Sequence, residues 1–259
     1  AWAILNPDDT ITIATAWEDH GQGADMGAIG TAHEALRPMK MAPERLRFTW
    51  PDTSKTPNSG PSGGSRQQVM TGGAIRVACQ EMLAGLKKAD GTYRTYAEAT
   101  ADGVPTKYVG KFSVPGVACD DKGQGKPFVV YMYGVFMAEV AVNLDTGKTT
   151  VEKMTLMADI GKVNNRLVTD GQIYGGIAQG IGLALTEDFE DLKKHSSMTG
   201  AGFPFAKDIP DDMEIVYFEG YPREFGPFGA AGVGELPLSS PHAAIGNAII
   251  AHPALAGVA

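Results

Sequence analysis

The sequence of 259 residues predicts an α+β fold, in which helices and strands follow no regular β-α-β-α repeat. Three observations lead to this prediction. Several strand-like segments follow one another directly, long helical segments interrupt them at irregular intervals, and no segment repeats along the chain. With 43% hydrophobic and 20% charged residues, the composition is that of a globular protein with a sizeable core.

The first half of the sequence opens with a hairpin signal. Apolar or alternating runs at residues 1–5 and 10–15 flank an Asn-Pro-Asp-Asp turn. After a glycine-rich turn, we predict a helix at residues 24–37 and a strand at residues 46–50. A loop rich in Pro, Ser, Gly and Asn follows, and a Ser-x-x-Gln pattern then predicts a capping box that opens a helix over residues 65–88.

The second half of the sequence contains most of the predicted strands. Residues 87–107 are polar and predict an excursion on the surface. Strand-like runs follow at residues 108–114, 128–133, 135–144 and 149–159. A Thr-Asp-Gly-Gln pattern predicts a second capping box and a helix over residues 169–186. A loop at residues 193–212 then precedes a strand at residues 213–219, and Pro241 marks the first position of a final helix.

Charge and cysteine content exclude several classes of function. The formal net charge of −8 argues against a nucleic-acid-binding or anionic-membrane surface. The two cysteines, Cys79 and Cys119, have no C-x-x-C spacing, which excludes a disulfide scaffold, a thiolate zinc site or an iron–sulfur cluster held by this segment alone. No stretch approaches the roughly 20 apolar residues of a membrane span. The low cysteine content is typical of a reduced, cytoplasmic setting, which we expect here.

Three loops of small and polar residues each precede a predicted helix. They are Gly21-Gln22-Gly23, Ser62-Gly63-Gly64-Ser65 and Gly171-Gln172. The start of a helix offers unpaired backbone N–H groups and the positive end of the helix dipole, which suit a phosphate or another oxyanion. Ordinary turns and caps are the alternative for any one loop alone. The spacing matches neither the dinucleotide nor the P-loop fingerprint.

Glu235 is the candidate for chemistry, because it is the only charged residue between positions 225 and 259. A carboxylate flanked by glycines and apolar side chains is expected to be desolvated, which raises its pKa towards neutrality, as a general base requires. The alternative is a carboxylate that caps a helix or pairs with a distant arginine. The histidines show no metal-ligand spacing, so we expect any metal to arrive inside an organic cofactor.

Four motifs in this order resemble those of the xanthine oxidase family of molybdenum hydroxylases. Residues 19–23 resemble the E-x-G-Q-G loop of that family, and residues 61–65 its small-residue loop before a helix. Residues 159–180 resemble its D-x-G…G-Q-x-x-G-x-x-x-Q-G signature, and residues 232–238 the G-x-G-E-x-P motif that carries a glutamate base. The similarity is to bacterial aldehyde oxidoreductases that use molybdopterin cytosine dinucleotide. Xanthine-specific members usually have Met at the position of His20.

The resemblance implies that residues 1–259 form the second half of the molybdenum cofactor-binding region of a longer chain, with the iron–sulfur domains absent. Glu235 would be the base in the oxidation of aldehydes to carboxylic acids, with water as the oxygen source. The pterin would hold the molybdenum, so no protein ligand is expected. The residues implied in cofactor binding are His20, Gly21, Gln22, Gly23, Ser62, Gly63, Gly64, Ser65 and Gln172.

The resemblance also implies further cofactors and partners. They are [2Fe-2S] clusters in the missing N-terminal part, an electron acceptor protein such as flavodoxin or ferredoxin, and a second copy in a homodimer. Two other functions stay open. One is a molybdenum hydroxylase acting on an N-heterocycle of the purine, nicotinate or quinoline type, and the other is a non-catalytic domain that binds another phosphorylated ligand. A phosphate binder of that last kind would contain no molybdenum.

Overall fold

The computed structural model describes residues 1–116, 118–128 and 130–256, which fold into two compact units described here one at a time. The first unit consists of Ala1–Tyr131, Gly161–Val168 and Gly220–Gly232. The second unit consists of Met132–Ile160, Thr169–Glu219 and Val233–Ala259. Each unit contains one sheet and several helices, which confirms the α+β prediction.

The first unit is built on a four-stranded sheet, whose strands are β1 (Trp2–Leu5), β2 (Ile11–Ala14), β3 (Leu46–Thr49) and β4 (Lys107–Val109). Their order in the sheet is β3-β2-β1-β4. β1 pairs antiparallel with β2 and β4, which confirms the predicted hairpin, whereas β2 pairs parallel with β3. Parallel neighbours need a crossover connection, and α1 (Ala24–Ala35) provides it between β2 and β3.

The core of the first unit lies between this sheet and two helices. α1 packs against α2 (Gln67–Leu86), the long helix that the sequence predicts. Burying each large apolar side chain contributes roughly 1.5–3 kcal/mol. The largest fully buried side chains here are Ile11, Ile13, Leu36, Ile75, Met82 and Leu86.

The start of α2 differs from the prediction. Arg66 and not Ser65 is the capping position, and its side chain makes no capping hydrogen bond, so the capping box predicted from Ser65 and Gln68 is wrong. The backbone explains this result, because Ser65 has a φ of +51° and a capping residue needs an extended conformation.

A third helix of the first unit, α3 (Tyr96–Ala101), lies in the segment predicted as a polar excursion. The hydroxyl of Thr95 accepts from the N–H of Glu98 at 3.3 Å, and the Glu98 carboxylate accepts from the N–H of Thr95 at 2.8 Å. This reciprocal capping box has the Thr-x-x-Glu pattern in the sequence, which is the signal for the helix.

The strand predicted at residues 108–114 is shorter in the structure and ends at Val109. At Gly110 the chain passes so close to α2 that only glycine fits. A Cβ there would lie 1.9 Å from the carbonyl oxygen of Ala74. The ring of Phe112 packs against the same helix. The segment therefore leaves the sheet in order to cover α2.

The second unit is built on a three-stranded sheet with the order β5-β6-β7. Its strands are β5 (Tyr133–Val142), β6 (Thr149–Asp159) and β7 (Asp212–Tyr217). β5 and β6 form an antiparallel pair, and β6 pairs parallel with β7 across the connection that contains α4 (Arg166–Leu185). The predicted strands at residues 135–144, 149–159 and 213–219 are confirmed.

The strand predicted at residues 128–133 is not confirmed. Phe128 and residues 130–132 are not in a strand, Val129 lies outside the described residues, and Tyr133 is the first residue of β5.

Three helices belong wholly or mainly to the second unit: α4, α5 (Leu236–Ser239) and α6 (Pro241–Ile250). Pro241 occupies the first turn of α6, as predicted. α4 approaches the other two closely, because a Cβ on Gly176 or Gly180 would lie 2.6 Å from a proline side-chain carbon. Among the described residues, no helix is both long and apolar enough to cross a membrane.

Candidate functional site

The first loop, residues 18–25, is held together by the carboxylate of Asp19. Its Oδ1 accepts from the N–H groups of Gly21 at 2.8 Å and Gly23 at 3.2 Å, and its Oδ2 accepts from the N–H of Asp25 at 3.2 Å. Burial raises the pKa of Asp19, but these backbone donors outweigh it and hold the pKa below its usual value. The amides that lead into α1 are therefore paired with a carboxylate of the chain itself.

This pairing corrects the expectation that the first loop offers its amides to a phosphate. The N–H groups of Gly21 and Gly23 are already used. The side chain of Gln22 also bonds its own loop, since its Nε2 donates to the carbonyl oxygen of Glu18 at 2.8 Å and its Oε1 accepts from the N–H of His20. His20 is exposed.

The second loop, residues 62–65, is bonded to the first. The hydroxyl of Ser62 donates to the carboxylate of Glu18, and this bond lowers the pKa of Glu18. The N–H of Glu18 donates to the Ser62 oxygen at 3.2 Å. The buried side chain of Gln67, only 4% exposed, donates to the carbonyl oxygen of Gly60 at 3.1 Å and so bonds the start of α2 to the segment before the second loop. The structure thus brings the first two predicted loops together in the first unit.

The tip of the second loop leaves open space. A Cβ added to Gly63 or Gly64 would meet no atom of the described residues within 4 Å, and both residues are exposed. Gly64 has a φ of +61°, which favours glycine for backbone reasons, whereas Gly63 has no such requirement. The loop is braced from the other side, where a Cβ on Gly232 would lie 2.1 Å from the carbonyl oxygen of Ser65.

Gln172 lies inside α4, so the third predicted loop is not a loop. The Oδ1 of Asn165 accepts from the N–H of Val168 at 3.2 Å, which caps the helix several residues before Thr169. The capping box predicted at Thr169 is therefore wrong, and the Gly-Gln pair offers no helix end to a phosphate. Gln172 is half-buried, and a Cβ on its neighbour Gly171 would meet no described atom.

Glu235 immediately precedes α5 and is exposed. The expectation that its apolar neighbours desolvate it is wrong for the described residues, because those neighbours bury themselves instead. Leu236 packs against Gly134 of β5, and Pro237 packs against Gly176 of α4. The backbone at Glu235 is thus fixed by two buried residues while its carboxylate is presented at the surface.

The candidate residues are divided between the two units. Residues 20–23 and 62–65 lie in the first unit, and Gln172 and Glu235 lie in the second. Within the described part of the chain, no group of three or more His, Cys, Asp or Glu side chains could hold a metal ion. The chemistry that these residues can perform by themselves is therefore ligand binding through neutral polar groups and proton transfer at one carboxylate.

Two structural residues of the site were missed in the sequence. Asp19 is followed by glycines at the second and fourth positions, a pattern typical of a carboxylate that bonds its own loop. Asn165 is the residue before a helical stretch, and asparagine is among the best capping residues. Both signals could have been found, since each depends on local sequence alone.

Residues 1–210 match the family model described as the molybdopterin cofactor-binding domain, and the chain belongs to that family. The resemblance to xanthine oxidase family molybdenum hydroxylases is thereby confirmed.

Known proteins resemble this chain over nearly its whole length. It is 67% identical over 251 residues to an aldehyde oxidoreductase of Megalodesulfovibrio gigas, a match that covers 96% of this chain and 28% of that protein. The crystal structure of the aldehyde oxidoreductase from Desulfovibrio desulfuricans matches with a TM-score of 0.93 at 62% identity, covering 96% of this chain and 28% of that one. Quinoline 2-oxidoreductase from Pseudomonas putida shares the fold, with a TM-score of 0.77 at 22% identity, covering 97% and 35%.

Proposed function

We propose that residues 1–259 are the second half of the molybdenum cofactor-binding region of an enzyme that oxidises aldehydes to carboxylic acids, with water as the oxygen source. The 67% identity to an aldehyde oxidoreductase over 96% of this chain supports this proposal, although the chain spans only 28% of that relative. The observation that carries it is the exposed carboxylate of Glu235 on two buried anchors. No observation favours an N-heterocycle as substrate or a non-catalytic domain.

The residues of the second loop fit a pterin cofactor. Gly63 and Gly64 leave open space beside a loop that Ser62 and Gln67 hold in place. One turn further, the Nε2 of Gln68 is buried and has no hydrogen-bond partner among the described residues. Because that nitrogen has no exposed surface, the open space at Gly63 and Gly64 is the observation that supports room for a planar ring system at this loop.

The residues that would hold the cofactor share small size or a neutral polar group. They are His20, Gly21, Gln22, Gly23, Ser62, Gly63, Gly64, Ser65 and Gln172. When bound, the molybdenum cofactor supplies the two-electron oxidation that no amino acid side chain can perform. The glycines of the second loop give it room, and the amide of Gln172 offers both a donor and an acceptor. We propose the cytosine dinucleotide form.

Glu235 performs the proton transfer in this proposal. A carboxylate oxygen of Glu235 accepts a proton from the water that supplies the new oxygen of the acid, which makes that oxygen nucleophilic towards the aldehyde carbon. Leu236 and Pro237 keep the carboxylate in position while this happens. His20, on the exposed first loop, would order water or polarise an oxygen ligand of the bound cofactor.

The two electrons that leave the aldehyde need a path out of the site. We propose [2Fe-2S] clusters in other domains of the same polypeptide and an acceptor protein such as flavodoxin or ferredoxin. We also propose a cytoplasmic homodimer. These proposals rest on the family and, for the further domains, on length, since this chain spans 28% and 33% of two of its relatives.

The test is Glu235→Gln in the full-length polypeptide. Gln has the same size but cannot accept the proton, so we expect normal molybdenum content and a kcat lowered at least ~10²-fold. Glu152→Gln, at an exposed position of β6, is the matched control and should keep wild-type turnover. A fully loaded Glu235→Gln variant with near wild-type turnover would place the base elsewhere, and a variant without molybdenum would make Glu235 a structural residue.

A further inference from the structure

Asn164 bonds two helices at once within the first unit. Its side-chain Nδ2 lies 3.0 Å from the carbonyl oxygen of Gly27 and 3.3 Å from the hydroxyl of Thr31, both on α1. The same nitrogen lies 3.1 Å from the Oε1 of Gln68 in the first turn of α2. One amide therefore donates to acceptors on the two helices that the first and second loops open.

The sequence of α1 makes room for this amide. A Cβ on Gly30 would lie 2.7 Å from the Oδ1 of Asn164, and a Cβ on Gly27 would lie 3.4 Å from the Oε1 of Gln68. Glycine in a helix interior costs about 1 kcal/mol relative to alanine. The close approach of Asn164 accounts for this cost at Gly30, whereas the atom nearest to a Cβ on Gly27 belongs to the Trp17 ring, at 3.2 Å.

The residues after Asn164 continue the same pattern of contacts. A Cβ on Gly23 would lie 2.4 Å from a methyl carbon of Val168, so the first loop also rests on this segment. Asn165 caps α4, the helix that carries Gln172. Residues 164–168 thus touch the first loop, α1 and α2, and begin the helix of a further candidate cofactor residue.

We propose that Asn164 is a positioning residue that holds the first and second loops in register for the cofactor. Each loop leads directly into its helix, so a bond between the N-terminal halves of the two helices fixes the spacing of the loops. Asn164 also fixes the orientation of the Gln68 amide. The Oε1 of Gln68 must face the Nδ2 of Asn164 to accept its hydrogen bond, so the Nε2 of Gln68 points away from Asn164. The inference rests on the proposed role of the loops in cofactor binding.

The experiment is Asn164→Asp in the full-length holoenzyme. Asp has the same shape but cannot donate from that atom, so the bond to the carbonyl oxygen of Gly27 is lost and the Gln68 amide is no longer held in its orientation. Asn6→Asp is the matched control, because the Nδ2 of Asn6 donates to Thr10 at 2.9 Å and Thr12 at 2.8 Å in the hairpin of the same unit.

Two quantities are measured for each variant: the rate at which molybdenum is lost during dialysis, and the difference in Tm between holo and apo protein. We expect Asn164→Asp to lose molybdenum about tenfold faster than wild type and to show a smaller holo–apo difference. Asn6→Asp should lower both Tm values by the same amount and keep the wild-type rate of loss. A merely structural Asn164 would behave like Asn6.

Gly30→Ala provides a second variant in case Asn164→Asp does not fold. Its Cβ displaces the Asn164 amide, while alanine favours the helix itself, so the apo protein should fold and still lose molybdenum faster. Wild-type retention in both variants would overturn the positioning role and leave the proposed function intact. A wild-type full-length protein that binds no molybdenum would overturn both.

Discussion

Gly63 lies in a loop with space for a larger side chain, although the residue there is glycine. Its backbone does not have the positive φ that would demand glycine, and no described atom lies within 4 Å of the place that a Cβ would occupy. The chain itself therefore gives no reason for glycine at this position. A ligand that approaches the backbone would explain the glycine, and the proposed cofactor is such a ligand.

Replacing Gly63 with alanine separates these two sources of constraint. We expect Gly63→Ala to leave the Tm of the apo protein unchanged, because the methyl group meets no protein atom, and to lower the fraction of molybdenum-loaded protein. The measurement is molybdenum content per chain beside the apo melting curve. Gly246→Ala, which also meets open space but lies in α6, is the control and should load normally. Normal loading of the Gly63 variant would remove this loop from the site.

Single residues of the candidate site were partly predictable from the sequence. Glu235 could be recognised as a candidate, because the sequence alone shows a single carboxylate in a long segment without other charged residues. Its exposure could not be predicted, because the fold decides whether the apolar neighbours cover the carboxylate or pack against other elements. Leu236 turns towards β5, and only the fold shows this. The intraloop bonds of Gln22 are missed for the same reason.

At the scale of elements, the start of α1 contains two carboxylates with opposite properties. Burial, and then the charge of Asp19, raise the pKa of Asp25, whose Oδ1 is buried and has no hydrogen-bond partner among the described residues. A carboxyl group with a raised pKa in the folded state opposes folding when it is charged. Its cost is present at neutral pH and disappears as the pH falls through the raised value.

Asp25→Asn should therefore stabilise the folded protein at pH 7. We expect a higher Tm at pH 7 and a smaller gain at pH 4, where Asp25 of the wild type is increasingly protonated and the two proteins become alike. Asp90→Asn is the control with the opposite sign. Hydrogen bonds from Thr92 lower the pKa of Asp90, so the removal of its charge should give no gain at pH 7. An equal gain at both pH values would contradict the assignment.

The elements themselves were predictable where hydrophobic period and turn residues agree. The strand at residues 149–159 has the predicted bounds, because alternation and an Asp-Thr-Gly-Lys turn mark its start. Helix starts were less predictable. The Ser-x-x-Gln and Thr-x-x-Gln patterns at residues 65 and 169 match the capping-box sequence, but neither forms one. Ser65 has a left-handed backbone, and Asn165 caps the other helix before Thr169 is reached.

At the scale of the whole molecule, the chain spans 28% of the length of the aldehyde oxidoreductase that it resembles. The nucleotide part of the proposed cofactor is therefore tested on the full-length holoenzyme and not on this chain alone. Acid hydrolysis should release about one CMP per molybdenum if the cofactor is the cytosine dinucleotide. The measurement is chromatography of the released nucleotide beside metal analysis. Release of another nucleotide, or of none, would contradict the proposed form while leaving the oxidation itself open to the Glu235 test.

The α+β class was predictable from the irregular order of the elements, but the pairing of strands was not. The parallel pairs β2–β3 and β6–β7 join strands that are separated by more than 30 residues. No local pattern specifies which distant strand a segment pairs with. The division into two units has the same origin, since each unit collects three separate stretches of the chain.

The carboxylate of Asp19 has a consequence for how the protein matures. Asp19 and Gln22 bond the N–H groups of Gly21 and Gly23 and the carbonyl oxygen of Glu18, so the hydrogen bonds that fix the first loop come from the chain itself. Fixing the backbone of one residue costs about 1–2 kcal/mol in conformational entropy, and here folding meets that cost rather than cofactor insertion. A cofactor that binds beside this loop, as we propose, would therefore not have to order it, and its rate of insertion would depend on access to the loop instead.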